Sequence, residues 1–543
     1  MSFQPNWSGT KVGEQRDGRP IEWASAMPAL VYFGQGDMQV VDDRPIVCTD
    51  QDVVARVDRV HRCGTDVKIY YKGRPDQCEE SLLDELRSLF GCDEPAGNVP
   101  FTTYSSLARG GAVDSSIDDS LYRAIAARIN ALSPADRARL GENMRRQWGR
   151  ILGHETLVTV ERVGSRVKDL RKGIGYLEGV ELAREQVTFE PGDRCVLQSR
   201  IAYYDPPPAD WCGVGFQPVE TGKMCRTGFP PVETGKMPVP QGSKMTGKMP
   251  VPQVDVRGVQ LLGGNITDLA MNLGGAYAAY TRLTPEIVCS GSAIRIPAGV
   301  STEAAALAEP AACLLDCFQK TTHEVGQDAT GSVLVKGVRP GGVTCVIGSG
   351  SMALMAAMFA NMDDPVIEMG RAAEIVFVVR SREKADFVRR ILHDQPIATV
   401  VCDDQAGMPA AVVEQYGPAY HKRTGKPFRG FDDVIVCAGD AETVALSHRM
   451  IAHTGGRLMM FAGTRGSCSI DSGVWHYGNA GVIGTSGCNT RMLEIGLGLF
   501  ARRSIDAARL AGKAYTFDDL RKPGGIEAFF ADKHLRPCLE PGK

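Results

Sequence analysis

Between residues 31 and 63, and again between 156 and 202, apolar and polar positions interleave in short β-branched runs. VVARVDRV (53–60) and TLVTVERVG (156–164) are the clearest, and with their Gly, Asp and Pro punctuation they predict a small β-rich body. The texture changes between about 75 and 150. There EESLLDELRSLF and then SIDDSLYRAIAARINALSPADRARLGENMRRQW carry apolar residues at helical spacing, which predicts a helical insertion. From 205 to 253 the chain repeats itself: PVETGKM at 218–224 returns at 231–237, and TGKMPVPQ at 234–241 returns at 246–253. Few apolar side chains stand there to offset the cost of ordering the backbone, so this stretch reads as a disordered low-complexity loop. A third pattern begins near 332. VTCVIG (343–348), EIVFVVR (374–380), DDVIVCAG (432–439) and RLMMFAG (457–463) are almost wholly apolar and are separated by helical stretches. Strands covered on both faces have this composition, so a doubly wound parallel sheet follows and the chain is of the α/β class.

At 543 residues the chain exceeds what one hydrophobic core organises. Its 43% hydrophobic and 23% charged residues suit a folded protein. With 61 Lys plus Arg against 64 Asp plus Glu there is no general field for nucleic acid or anionic lipid, so a small-molecule partner is expected, with no nucleic acid and no membrane. The 16 cysteines are scattered, the first residues lack the order of a secretory leader, and no apolar run approaches the roughly 20 residues of a span. A cytoplasmic protein with reduced thiols is the expectation.

Gly348-Ser349-Gly350-Ser351-Met352-Ala353 closes the first strand of the third region and opens an apolar helix, matching G-x-G-x-x-G/A. The first glycine permits the tight turn, the second lets the backbone approach a pyrophosphate, and the small third residue lets helix and strand pack. Gly348, Gly350, Ser351 and Met352 are therefore candidate dinucleotide-binding residues. The second strand ends in Arg380-Ser381-Arg382 where an acid would hold the ribose 2′-hydroxyl of NAD. Two guanidinium groups and a hydroxyl suit a 2′-phosphate, favouring NADP over NAD; the plainer reading is two solvated surface charges.

Cys63-Gly64-Thr65-Asp66 follows one strand of the β-rich body, and Gly153-His154-Glu155 precedes another. A thiolate, an imidazole and a carboxylate are the set that a catalytic zinc uses when one position must stay open. Singly, each has a plain reading: Cys63 as a small buried hydrophobe, His154 as a hydrogen-bonded structural histidine, Glu155 as a surface charge. His154 and Glu155 do not form an HExxH helix, because Val158 stands where the second histidine would be. Glu309-Pro310 either begins a helix or offers a further carboxylate.

The order of these pieces, a Cys-Gly-Thr-Asp turn, a Gly-His-Glu turn, Pro191-Gly192-Asp193, a Glu-Pro helix and then the Gly-rich turn, resembles the zinc-dependent medium-chain alcohol and polyol dehydrogenases. In that family a GroES-like catalytic domain embraces a Rossmann domain. The resemblance runs over about 28–73, 150–204 and 254 to the end. Phe431-Asp432-Asp433-Val434, His476-Tyr477-Gly478-Asn479 and Gly484-Thr485-Ser486-Gly487 look like the sorbitol, threonine and L-sorbose-1-phosphate reductase type. The resemblance implies that Cys63, His154 and Glu155 ligate zinc, that Glu309 sits beside the metal in exchange with water, and that Thr65 carries the alcohol proton. Asp66 then orients His154, or else caps its own turn.

Expected from this resemblance are a GroES-like catalytic domain over 24–305, interrupted by the insertions at 75–150 and 205–253, a Rossmann domain over 306–490, and a C-terminal return over 491–543. A homo-oligomer, dimer or tetramer, is also implied. So is hydride transfer between NADP or NAD and a secondary alcohol or ketone, the substrate being a polyol, a sugar or a sugar phosphate. Two departures stand out. Roughly 90 residues separate Cys63 from His154, and the family's frequent four-cysteine zinc lobe is missing, so one zinc ion per chain is expected rather than two. Rival readings are a zinc-free NADPH reductase on the same scaffold and a catalytically inert nucleotide-binding scaffold or sensor.

Overall fold

The structure is a computed structural model that describes residues 21–72, 130–135, 150–198 and 276–542, apart from 35, 49, 132, 174–183, 284–286, 289–290, 422–426, 453, 464–466, 470, 486, 489 and 534. The expected insertion at 75–150, bar 130–131, 133–135 and 150, and the expected repeat loop at 205–253 lie outside the described residues.

The β-branched runs of the first half pair laterally. Val53–His61 lies antiparallel beside Glu155–Val163, and on its other side beside Arg536–Leu539 and Tyr280–Leu283. Arg194–Leu197 and Ala293–Arg295 extend the sheet past Glu155–Val163, and Ala511–Tyr515 extends it past Arg536–Leu539. Alternate side chains point to opposite faces of a strand, and Val53, Ala55 and Val57 are fully buried with Met27, Leu30, Tyr277 and Phe529 in one core. A three-stranded sheet, Asp37–Cys48, Ile21–Gly34 and Arg150–Ile151, shares that core.

The second half forms a six-stranded parallel sheet in the order Ile397–Val401, Glu374–Val379, Val343–Ile347, Asp433–Val436, Arg457–Met460, Gly481–Gly484. In chain order this is 3-2-1-4-5-6, the doubly wound arrangement whose switch point lies where the order reverses, beside Val343–Ile347. The four predicted strands are all present. Two more were not predicted: Ile397–Val401 on one edge, and Gly481–Gly484 on the other. A hairpin, Thr322–Asp328 with Gly331–Lys336, precedes the sheet and leaves Val325 and Leu334 exposed.

Helix Ala308–Lys320 joins the two bodies, and its Ala, Leu and Phe side chains are buried against helices Ser351–Ala360 and Thr490–Ala501. Among the described residues no helix is long and apolar enough to cross a membrane, and ten cysteines are free thiols.

The Thr490–Ala501 helix is followed by an ionic tie to the sheet. Buried Asp364 accepts from Arg502 Nε at 2.9 Å, from the backbone of Val366 and Ile367 at 2.9 Å each, and from Ser504 Oγ. Burial opposes its charge, but Arg502 and these donors outweigh it and hold the carboxyl down to about 2. A depressed carboxyl stabilises the fold above its unfolded value and ceases to do so as pH falls through the folded one. Asp364→Asn should therefore lose about 2 kcal/mol at neutral pH, and the gap to the native chain should narrow as pH drops from about 4 towards 2. Urea unfolding of both proteins across that range measures it; equal stability at neutral pH would remove Asp364 from the account.

Candidate metal centre and nucleotide cradle

The distance of roughly 90 residues between the Cys63 and His154 turns disappears in the sheet. His61 faces Glu155 across the antiparallel pair, so the residues just past one strand and just before the other meet at the same end. The ligand atoms of Cys63, His154 and Glu155 lie within 4.8 Å of one another. Gly153 makes this possible. Its φ is +93°, and a Cβ there would stand 2.9 Å from Val60 Cγ2 and 3.0 Å from the Tyr277 ring. Only glycine fits both the conformation and the space.

His154 is buried, and its ring lies within 4.8 Å of the Cys63 sulfur. Nδ1 has no hydrogen-bond partner and lies 3.8 Å from Asp66 Oδ1. Burial disfavours the charged ring, but the charges of Cys63, Asp66 and Glu309 win and push its pKa well above the usual imidazole range. Asp66 is completely buried. Its Oδ2 accepts from the Cys63 backbone N–H at 2.9 Å and from Tyr277 Oη at 2.8 Å, so it caps the turn and faces His154 at once. Thr65 is exposed beside Cys63, its backbone N–H directed at Sγ at 3.4 Å.

Glu155 is 1% exposed and paired through Oε1 with the guanidinium of Arg536, while Oε2 has no hydrogen-bond partner. Burial raises its pKa, yet Arg536 and His154 bring it below the ordinary carboxylate value. A half-buried thiol close to a buried imidazole and a buried carboxylate with one free oxygen fits a zinc ion with a position left open.

Glu309 is not among these three but lies near enough for its charge to reach them. Its charge acts on His154 and Arg536, but its Oε1 accepts from Cys313 Sγ at 3.5 Å, and its carboxylate groups with Cys313 and Cys488 within 4.8 Å.

The Gly-rich turn leaves the Val343–Ile347 strand at the switch point. Gly348 has φ +126°, a conformation few other residues adopt, and Gly350 caps the Ser351–Ala360 helix. A Cβ built on Gly350 meets nothing within 4 Å. That empty approach to a helix N-terminus is the cradle a pyrophosphate needs. Ser381 caps the Arg382–Ile391 helix, accepting from Lys384 N at 3.3 Å, and Arg380 and Arg382 are exposed at the tip of the neighbouring strand. Among the described residues neither arginine is in an ion pair.

Arg536 connects the two halves of the site. It comes from the strand paired with Val53–His61, meets Glu155, donates from Nε to Ser351 Oγ at 2.9 Å, and touches Met352 Sδ. The sequence gives no sign of it, since nothing in RPCLEPGK distinguishes this arginine from others. Tyr277 was missed for the same reason. Lys68 Nζ also reaches from the β body to the Rossmann sheet, donating to Gly463 O at 2.9 Å.

No protein-family model matches the chain, and no curated protein matches it in sequence. Solved structures do match. A protein of Sinorhizobium meliloti 1021 described as a zinc-binding dehydrogenase and bound to NADP aligns at a TM-score of 0.51 and 16% identity, over 95% of this chain and 100% of its own. The 2R,3R-butanediol dehydrogenase of Bacillus subtilis aligns at 0.52 and 16%, over 95% and 99%. Galactitol-1-phosphate dehydrogenase of Escherichia coli aligns at 0.51 and 13%, over 95% and 100%. The fold is thus a GroES-like β body with a Rossmann sheet, as in zinc-dependent medium-chain alcohol and polyol dehydrogenases. These neighbours do not single out the sorbitol, threonine and L-sorbose-1-phosphate reductase type.

Proposed function

We propose that this protein is a zinc-dependent oxidoreductase that moves a hydride between a nicotinamide nucleotide and a secondary alcohol or ketone, with a polyol, sugar or sugar phosphate as substrate. The observation that carries this reading is the convergence of Cys63, His154 and Glu155 at one strand end that Arg536 links directly to the Gly-rich turn. Metal ligands and a nucleotide cradle brought to one place suit hydride transfer, because donor and acceptor must be held in contact and away from water.

Cys63, His154 and Glu155 would hold the zinc, which when bound supplies a Lewis acid that stabilises negative charge on the substrate oxygen. The nucleotide supplies the redox chemistry and this chain the positioning. Asp66 fixes the imidazole through its charge and is itself fixed by Tyr277 and the Cys63 amide. Thr65, exposed next to the thiol, is placed to pass the alcohol proton outward. Gly348, Gly350, Ser351 and Met352 receive the pyrophosphate, and the unpaired guanidinium groups of Arg380 and Arg382 favour the 2′-phosphate of NADP. A homo-oligomer, dimer or tetramer, working in the cytoplasm, completes the reading.

The test is a screen of sugar alcohols and ketoses with NADPH, NADP, NADH and NAD, with zinc measured on the same sample. Turnover should appear, should favour the phosphorylated nucleotide, should vanish on chelation and should return with zinc. Turnover unaffected by complete zinc removal would favour the zinc-free reductase instead, and nucleotide binding without turnover on any of these substrates would overturn the reading.

A further inference from the structure

Helix Ala308–Lys320 carries Glu309 and Cys313 one turn apart, so both side chains lie on one face. That face meets Cys488, from the loop after the Gly481–Gly484 strand, and Gln198, from the end of the Arg194–Leu197 strand. The sulfur atoms of Cys313 and Cys488 and a carboxylate oxygen of Glu309 all lie within 4.8 Å of one another. Gln198 is 2% exposed and its amide is fixed: Nε2 donates to the Cys488 carbonyl at 2.7 Å, which aims Oε1 at Cys488 Sγ, 3.2 Å away.

We propose that Glu309, Cys313, Cys488 and Gln198 form a second zinc site, separate from Cys63, His154 and Glu155. The spacing is the argument. Zinc binds sulfur at about 2.3 Å and oxygen at about 2.0 Å, so a sulfur–oxygen edge of its tetrahedron is about 3.5 Å long. The Cys313 Sγ–Glu309 Oε1 separation is 3.5 Å and the Cys488 Sγ–Gln198 Oε1 separation is 3.2 Å. Two edges of a mixed sulfur–oxygen tetrahedron are therefore already close to length. Two thiols in a core behave as small hydrophobes when their neighbours are apolar. Here the neighbours are a carboxylate and an oriented amide oxygen, and the set has the borderline-soft character zinc prefers among divalent ions.

Three segments distant in the chain would be joined by this ion: the helix linking the two bodies, the end of the β body's sheet, and the loop beyond the last Rossmann strand. The inference does not depend on hydride transfer, but it changes the expected metal content from one ion per chain to two.

Metal content of the whole chain, saturated with zinc and then freed of excess, tests this directly. Two zinc ions per chain are expected in the native protein, one in Cys313→Ser/Cys488→Ser and one in Cys63→Ser. Alkylation of the native protein, followed by mass spectrometry, needs no variant to fold: Cys313 and Cys488 should be protected with zinc present and modified at least about tenfold faster after chelation. Cobalt in place of zinc should show thiolate charge-transfer absorption that falls, without vanishing, in the double variant. A single native zinc that Cys63→Ser removes and the double variant keeps, or alkylation of Cys313 and Cys488 indifferent to zinc, overturns the proposal. A single zinc lost only in the double variant upholds it and overturns the metal role assigned to Cys63.

Discussion

His154→Ala should lower turnover by about a thousandfold or more while NADPH binding stays within about threefold of native. The imidazole is one of three groups that would hold the metal, and it touches no part of the Gly-rich turn, so metal affinity and nucleotide affinity separate cleanly. Cys63→Ser should behave alike. Kinetics and nucleotide titration on the same zinc-measured samples check both. Unchanged activity in a zinc-depleted His154→Ala sample would refute the metal role given to this ring.

Arg536→Met is expected to act on both halves at once. Glu155 is almost wholly buried, and in the zinc-free protein removing its cationic partner leaves a charge with little to compensate it, which typically costs about 3–5 kcal/mol. Because Arg536 helps hold the Glu155 pKa below its ordinary value, the pair stabilises the fold above that value and less as pH falls through the folded one. Nucleotide binding should weaken too, because the guanidinium faces Ser351 and Met352 at the cradle. Adding Glu155→Gln to Arg536→Met should recover most of the lost stability and none of the nucleotide affinity. Urea unfolding and nucleotide titration separate the two effects; an Arg536→Met protein within about 0.5 kcal/mol of native would show that the pair contributes nothing net.

Much of this architecture can be read from residue patterns, and where it cannot the reason is physical. Val343–Ile347, Glu374–Val379, Asp433–Val436 and Arg457–Met460 sit inside the parallel sheet or close to its middle, and burial on both faces makes them nearly continuous apolar runs. Ile397–Val401 lies on an edge, only partly buried, and Gly481–Gly484 has just two apolar side chains on the other edge, so neither carries that signature. The Thr322–Lys336 hairpin is largely exposed on both strands, and its Val333-Leu334-Val335 run shows no alternation, which leaves no period to detect. Cys63, His154 and Glu155 were legible because the thiol, the imidazole and the carboxylate lie in short turns next to recognisable strands. Arg536, Tyr277, Gln198 and Cys488 were not. Each is an ordinary residue brought to its neighbours by strand register or loop placement across more than a hundred residues of chain.

The His61–Glu155 register has one more consequence. What brings the thiol and the imidazole together is the sideways pairing of two neighbouring strands, whatever the length of chain between them. Closing a long loop costs little more than closing a short one, since the entropy grows only with the logarithm of its length. A chain severed by a protease within that excursion should therefore remain one non-covalent unit, its halves held by the ladder between Val53–His61 and Glu155–Val163.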